Sequence, residues 1–293
     1  MIEEDFKKRA ARYIKEILND INTKFPGKLV SLVLFGSSVN GVPTKISDVD
    51  LLIVLKDTVT KNEMQKIRLR VEKLAVKYKF WSYPKSLFER ILRGVKLSTG
   101  MFVPFFVTRE KDLLSGRFTR IFNVNRVLAF ILSPKSTVLK SIQNNYRVLW
   151  GNDVIKNMKI GTQSKIDLPK GLFLNLLQSI AAFFMSPFVE EATKYSLEAL
   201  KWALYTLRPH MYKRNKANLD DIVNSLIKAG YYPEEFLAFK RLRLNYRNDY
   251  RFILMAPQLV TALYIKPLLA LNANIMQFVT NIYGEFRDMI KWK

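Results

Sequence analysis

Two carboxylates two residues apart follow a glycine and a pair of serines in the first quarter of the chain. Asp48 and Asp50 point the same way on a strand, because side chains at positions i and i+2 share a face. Converging carboxylates favour a bound cation, and Mg²⁺ combines one or two carboxylates with substrate phosphates. Gly36 lets a ligand approach the backbone closely, while Ser37 and Ser38 offer hydroxyl and N–H groups to an anion. The pattern therefore predicts a site for magnesium and phosphate groups.

Short apolar segments on both sides position this pattern. Runs rich in β-branched and aromatic residues predict one strand before Gly36 and another that begins at Asp50. Apolar residues at helical spacing predict one helix before the first strand and one after the second. Alternating helices and strands up to about Trp150 favour an α/β or α+β domain. In chain order, the predicted elements are a helix over 4–22, strands over 28–35 and 50–55, a helix over 61–80 and a strand over 101–107.

The second half of the sequence is organised differently. After Pro169 every long segment has helical period and length, and the breaks between segments fall at proline or glycine. We therefore predict an α+β fold, with an N-terminal mixed β-sheet backed by helices and an all-α helical bundle after it. The predicted domains are residues 1–153 and 154–293.

The Gly-Ser and Asp-x-Asp pattern between two apolar strands resembles the nucleotidyltransferase superfamily typified by DNA polymerase beta, particularly its small and aminoglycoside-type members. Asp48 lies twelve residues beyond Gly36, which is the spacing in the minimal members of that family. Residues 146–153 also resemble the apolar, aromatic, glycine and aspartate signature that closes the family's catalytic domain. From the residues alone, a β-hairpin with ordinary turn chemistry is the alternative interpretation.

The resemblance implies an enzyme that transfers a nucleoside monophosphate from a nucleoside triphosphate to a hydroxyl acceptor and releases pyrophosphate. It implies a two-magnesium site and a helical domain appended to the catalytic one. The residues implied to bind the nucleotide are Gly36, Ser37 and Ser38, and those implied to ligate the metals and carry catalysis are Asp48 and Asp50.

The family's third carboxylate is missing from its expected place. The strand predicted over 101–107 contains no acid, and Glu110 and Asp112 after it fit a helix start, where the helix dipole favours acids. Two carboxylates can hold a magnesium nucleotide without activating an acceptor. Two alternative functions are therefore kept. One is a catalytically inactive nucleotide- or RNA-binding protein, and the other is a small nucleotidyltransferase that modifies a partner protein in a toxin–antitoxin-like pair.

Some aminoglycoside-type members take a general base from a helix outside the sheet, and Glu190 is the candidate that this resemblance implies here. A helix predicted over 190–207 places Glu190 and Lys194 on one face, since they are four residues apart. The carboxylate would accept the acceptor's proton and the ammonium would contact a phosphate. A surface ion pair at a helix N-terminus explains the same spacing and is the preferred interpretation.

The chain of 293 residues is strongly basic, with 48 Lys and Arg against 25 Asp and Glu and a formal net charge of +23. Such a field attracts polyanions, so it favours nucleoside triphosphates, RNA and anionic membrane surfaces as partners. The sequence has no Cys and a single His, which excludes disulfides, thiol catalysis and multi-His zinc sites. Five basic residues over 240–251, interleaved with aromatic ones, predict either an RNA groove or a solvated face above core aromatics.

Two apolar stretches raise the question of membrane contact. Residues 171–189 carry no charge, and residues 252–286 contain only Lys266 and Glu285 as charged residues. Polar residues and prolines interrupt both stretches, so buried helices or a homo-oligomer interface are preferred to membrane contact. The N-terminus lacks the basic and apolar layout of a secretory signal, and we therefore expect a cytoplasmic protein.

Overall fold

The chain divides into two compact units in the computed structural model. The first unit holds residues 1–163 and 244–246, and the second holds residues 164–243 and 247–293. The predicted boundary after residue 153 stays a prediction. The structure describes residues 2–36, 39, 49–84, 89–90, 93–94, 96–97, 100, 102–161, 167–189, 191–211 and 219–265.

Among the described residues, four strands form one mixed sheet in the first unit. The first strand, β1 (Leu29–Phe35), lies between β2 (Asp50–Leu55) and β4 (Tyr146–Gly151) and is antiparallel to both. At the edge, β3 (Phe105–Arg109) is parallel to β2, which gives the order β3-β2-β1-β4. All seven residues of β1 are buried, so the centre of the sheet is also the centre of the core.

Helices cover both faces of this sheet. Side chains alternate between the faces along each strand, so Leu32 and Ile53 face one buried cluster while Val33 and Leu52 face another. The first cluster is completed by α1 and α2, and the second by α3 to α6. Each fully buried Leu or Ile stabilises the fold by roughly 1.5–3 kcal/mol. The helices are α1 (Ile2–Lys24), α2 (Lys61–Lys77), α3 (Glu110–Leu114), α4 (Phe118–Ile121), α5 (Arg126–Leu132) and α6 (Lys135–Asn144).

A capping box fixes the start of α2. The Thr60 hydroxyl accepts a hydrogen bond from the Glu63 N–H at 3.1 Å, and the Glu63 carboxylate accepts one from the Thr60 N–H at 2.7 Å. The pair satisfies two N–H groups that the helix itself leaves without a partner. The helix predicted over 61–80 starts where expected and ends three residues early, at Lys77.

The third strand begins later than the sequence predicts. The prediction covers 101–107, whereas β3 runs from Phe105 to Arg109. Phe102 has a φ of 58°, a left-handed conformation that interrupts a strand, and Pro104 has no N–H to donate to a ladder. The Pro104 carbonyl nevertheless accepts a hydrogen bond from the Leu51 N–H at 3.0 Å, so pairing with β2 starts there.

After residue 163 every regular element that the structure describes is a helix. Small and polar residues of α7, among them Gly171 and Ser179, are buried where α7 packs on α8. By length and composition alone α7 could cross a membrane, and 39% of its apolar window is buried within the protein. The helices are α7 (Asp167–Met185), α8 (Ala192–Met211), α9 (Leu219–Lys228), α10 (Pro233–Leu244) and α11 (Tyr250–Ile265). The predicted α+β fold with a helical C-terminal region is confirmed.

Candidate active site

Gly36 and Asp50 meet at one end of the antiparallel pair β1–β2. Phe35, the last residue of β1, is the register partner of Asp50, the first residue of β2, and Gly36 follows directly. The backbone of Gly36 has a φ of +74°, and a Cβ added there would lie 2.5 Å from Oδ2 of Asp50. Only glycine therefore fits beside this carboxylate. The sheet thus brings together one predicted nucleotide-binding residue and one predicted metal ligand.

Three further residues of the predicted site lie outside the described residues. These are Ser37, Ser38 and Asp48. Val49, immediately before β2, is 1% exposed, whereas the Asp50 side chain is only half-buried. The alternation that buries Val49 leaves the Asp50 side chain half-buried at the start of β2. Asp48, two residues before Asp50, stays a predicted ligand.

Asn145 holds the backbone of Gly36 and was missed by the sequence analysis. Its Nδ2 donates a hydrogen bond to the Gly36 carbonyl oxygen at 2.7 Å from a position 109 residues further along the chain. The same oxygen accepts a longer hydrogen bond, 3.3 Å, from the Val39 N–H. With its carbonyl engaged in this way, Gly36 is fixed in one orientation. Asn145 is the last residue before the signature over 146–153, and its place there is the one sequence signal that could have indicated it.

The signature over 146–153 has a structural role beside the site. Tyr146 opens β4 and is the register partner of Phe35, the residue that also pairs with Asp50. The Tyr146 hydroxyl donates a hydrogen bond to Asp153 Oδ2 at 2.8 Å. Burial, assisted by this hydrogen bond, raises the pKa of Tyr146. This hydrogen bond links the first and last residues of the signature.

No carboxylate on β3 accompanies Asp50. In the parallel register Phe105 is the partner of Leu51, so the position beside Asp50 belongs to Pro104. Asp112, which follows β3 on α3, is 7% exposed and forms an ion pair with Arg120 at 3.2 Å. That pairing accounts for the burial of Asp112 without a catalytic role. The departure from the family pattern that the sequence predicts on this strand is therefore present in the structure.

Two predicted site residues, Glu190 and Lys194, belong to the second compact unit. Glu190 lies outside the described residues. Lys194 is half-buried on α8, and its N–H donates to the Glu191 carbonyl at 2.9 Å. Their roles as base and phosphate contact stay predictions.

The basic cluster over 240–251 is partly a core feature. Phe239 and Phe252 are 0% and 3% exposed and stack with ring centroids 6.4 Å apart, so neither can stack on a nucleic-acid base. Arg243 lies over the Phe239 ring at 5.5 Å. Arg241, Arg247, Tyr250 and Arg251 remain exposed and are available to a polyanion.

Asp50 fits a magnesium ion by its chemistry. It presents a half-buried carboxylate, a hard oxygen donor, beside a backbone that no Cβ obstructs. Within the described part of the chain, no three or more His, Asp or Glu side chains are grouped closely enough to hold a metal. The fit of a magnesium site here therefore rests on Asp50 together with the predicted ligand Asp48.

Comparisons with known proteins agree with this geometry. Residues 14–101 match the model of the nucleotidyltransferase domain family. They include the second half of α1, then β1, β2 and α2, and the resemblance of this part of the chain to small nucleotidyltransferases is confirmed. The match supports an enzyme.

Two individual proteins are similar to this chain. A Methanocaldococcus jannaschii protein, whose name assigns it provisionally to the protein adenylyltransferases, is 42% identical over 65 residues. Those residues are 22% of this chain and 66% of the relative, so the match spans just under two thirds of the relative's length. The crystal structure of spectinomycin adenyltransferase AAD(9) from Enterococcus faecialis with ATP and spectinomycin covers 87% of this chain and 97% of its own, with a TM-score of 0.50 and 10% identity. The second likeness is one of fold.

Proposed function

We propose that this protein is a magnesium-dependent adenylyltransferase that transfers AMP from ATP to a hydroxyl acceptor. The observation that carries the proposal is the contact of Gly36 with the Asp50 carboxylate, inside a domain that matches nucleotidyltransferases. In the reaction the acceptor oxygen bonds to the α-phosphorus, the bond from that phosphorus to the β-phosphate oxygen breaks, and pyrophosphate leaves. ATP is proposed as the donor because the M. jannaschii relative is named as an adenylyltransferase.

The residues around Gly36 are suited to hold the triphosphate. A glycine with positive φ lets phosphate oxygens approach backbone N–H groups, and Ser37 and Ser38 add hydroxyl donors. Asn145 engages the Gly36 carbonyl, which keeps that oxygen from repelling a phosphate. Asp48 and Asp50 would hold magnesium, which when bound neutralises charge at the α-phosphate. Most of the catalysis would then be positioning and electrostatic stabilisation.

The acceptor hydroxyl must lose a proton, and β3 has no carboxylate that could accept it. We keep Glu190 as the proposed base and Lys194 as the proposed phosphate contact, as the resemblance implies. Glu190→Gln should then lower turnover while nucleotide binding stays largely in place. Equal loss of both would remove Glu190 from this role.

A protein hydroxyl is the acceptor that we favour. The relative's name refers to protein adenylylation, and the small size of the matched domain is compatible with a large acceptor. RNA is the second candidate, favoured by the net charge of +23 and by the exposed Arg247 and Tyr250. A transfer experiment separates the two because the label ends in different fractions.

The test combines labelling with ligand-induced stabilisation. The full chain is incubated with magnesium and each α-labelled nucleoside triphosphate in cell extract, and label is measured in protein, RNA and small-molecule fractions. We expect transfer from ATP into protein. A ligand present at a hundred times its Kd adds about 2.7 kcal/mol of stability, so ATP with magnesium should also raise the melting temperature measurably.

Asp50→Asn provides the decisive variant, because it removes a ligand charge at nearly constant volume. It should abolish both the label transfer and the magnesium-dependent melting shift. The matched control is Asp5→Asn, which removes an exposed carboxylate from α1 and should change neither. Equal ATP stabilisation with and without magnesium would contradict the metal-bridged site. Magnesium-dependent binding without label in any fraction would instead indicate the inactive binding protein.

A further inference from the structure

Helix α7 has its polarity reversed relative to an ordinary surface helix. Its buried face carries small and polar residues, and its exposed face carries large apolar ones. We call the exposed set the outer stripe. Its members, with their exposed fractions, are Phe173 at 53%, Leu177 at 46%, Ile180 at 38%, Phe183 at 44%, Phe184 at 67% and, just after the helix, Phe188 at 74%. Buried opposite to the stripe are Gly171, Asn175, Gln178, Ser179 and Ala182.

The buried face of α7 is held by specific contacts. Gln178 Nε2 donates a hydrogen bond to the Tyr195 carbonyl of α8 at 3.0 Å, and Asn175 Nδ2 donates one to the Tyr264 hydroxyl at 3.1 Å. A Cβ added at Gly171 would lie 2.9 Å from both the Thr206 side chain and the Tyr264 hydroxyl. Rotating α7 to bury the outer stripe would break both hydrogen bonds and force larger side chains into this seam. The stripe is therefore fixed on the outside.

The spacing of the outer stripe is that of a helix-pairing seam. Phe173, Leu177, Ile180 and Phe184 are separated by four, three and four residues. This is the alternation of a and d positions in a heptad, which places these four side chains along one line that a second helix can pack against. Phe183 and Phe188 are exposed beside this line.

The area of the stripe matches what a modest dimer needs. With 150–250 Å² for a whole aromatic side chain, the exposed fractions correspond to about 600 Å² of apolar surface on one copy. Two copies would bury about 1,200 Å², the lower limit for a specific protein–protein interface. Residues 171–189 carry no charge, so two faces can meet without burying an ion even though each chain has a net charge of +23.

We propose that the outer stripe is the interface between two copies of this chain. A two-fold arrangement uses the same patch on both copies, and a line of apolar side chains at heptad spacing is complementary to itself. Ile180 lies in the middle of the stripe, so the two-fold axis passes close to it. This proposal concerns α7 and Phe188 and does not rest on the proposed function.

Sedimentation velocity of the full chain over a range of concentrations tests the proposal. We expect a dimer that the double variant Leu177→Lys and Phe184→Lys converts into a monomer with half the mass. Both positions are exposed, so the variant should keep its fold, which the melting temperature verifies. The matched control is Phe130→Lys on α5, where the side chain is 68% exposed outside the stripe, and it should remain dimeric.

A single introduced thiol gives the second test, because the chain has no Cys. Ile180→Cys should form a disulfide-linked dimer on mild oxidation, since the axis brings two copies of this residue together. Leu254→Cys, 58% exposed on α11, should not. A wild-type chain that is monomeric at every concentration would overturn the proposal. So would a dimer unaffected by the double variant, or a monomer whose stripe binds phosphatidylcholine vesicles or is covered by the chain's own residues 266–293.

Discussion

Gly36 and Gly27 have the same left-handed backbone but different surroundings. Their φ angles are +74° and +67°, so a Cβ costs a similar backbone strain of roughly 1–2 kcal/mol at each. At Gly36 the Cβ would also push the Asp50 carboxylate aside, whereas at Gly27 it meets no described atom within 4 Å. We predict that Gly36→Ala loses the magnesium-dependent ATP shift, while Gly27→Ala keeps it despite a similar loss of stability.

The comparison of the two alanine variants is made by thermal unfolding with and without magnesium ATP. An ATP shift that survives in Gly36→Ala would mean that Asp50 can move without consequence. In that case the carboxylate would not belong to the nucleotide site.

Asn145 provides the second prediction at this scale. Asn145→Ala removes a hydrogen bond worth about 1 kcal/mol and frees the Gly36 carbonyl to face the nucleotide. We expect a several-fold weaker ATP affinity, measured by titration calorimetry, together with a small loss of stability. Gln143→Ala is the matched control, because its Nε2 also donates to backbone carbonyls, those of Ile155 and Met158. A similar affinity loss in the control would assign the effect to general destabilisation.

How much of the site the sequence predicts depends on how far apart its residues lie. Gly36 and Asp50 could be paired from sequence because each borders an apolar strand, and the antiparallel register then brings them together. Asn145 could not be assigned to the site from the sequence, because its hydrogen bond to Gly36 spans 109 residues and an asparagine before a strand is common. The absence of an acid on β3 could be predicted directly, because it depends only on the residue types within the strand.

Helices α1 and α2 are joined by a cluster around Glu16. The Glu16 carboxylate accepts hydrogen bonds from Lys77 Nζ at 2.6 Å and from the Tyr78 hydroxyl. The hydrogen bonds from Lys77 and Tyr78 lower the pKa of Glu16 below its ordinary value of 4.5. An acid whose folded-state pKa is lowered stabilises the fold above its unfolded-state pKa, and this contribution is lost as the pH falls through the folded-state value.

Glu16→Gln should therefore destabilise the protein near neutral pH and have a smaller effect under acid conditions. The Glu16–Lys77 ion pair is largely exposed, so we expect the substitution to lower the free energy of unfolding by at most about 1 kcal/mol. Urea unfolding of both proteins at about pH 7 and about pH 4 measures the difference in free energy of unfolding. A difference that grows on acidification would show that the carboxylate is not the stabilising form.

At the level of elements, the sequence predicts what a segment forms better than which face it buries. The start of β2 at Asp50 and that of α2 at Lys61 follow from local residue types and from capping. The later start of β3, at Phe105, depends on the left-handed backbone conformation of Phe102. An aromatic residue rarely adopts this conformation, and no residue pattern in the sequence predicts it. In α7 the apolar residues lie outside, because packing on α8 selects small side chains instead.

For the whole molecule, the net charge of +23 predicts polyanion binding that weakens with salt. Replacing Arg241, Arg243 and Arg247 by Gln should reduce the salt dependence of RNA binding by up to about 0.7 per lost phosphate contact. The measurement is the slope of the logarithm of affinity against the logarithm of salt concentration.

The control variant removes the same number of positive charges from another helix. Lys8, Arg12 and Lys15 are exposed on α1, and their replacement by Gln removes the same three charges. If both triple variants change the slope equally, RNA responds to total charge, and residues 240–251 are an ordinary solvated face.

The central position of β1 in the sheet determines how the candidate site unfolds. This strand is hydrogen-bonded on both sides, by β2 and by β4, and each of its residues is buried. Amide protons of such a strand exchange with solvent only when the whole domain opens, unlike those of frayed ends. Gly36 follows this strand directly, so the proposed nucleotide site lies beside what we expect to be the slowest-exchanging part of the domain. Deuterium uptake along β1 should therefore report global opening, and heat inactivation should coincide with it.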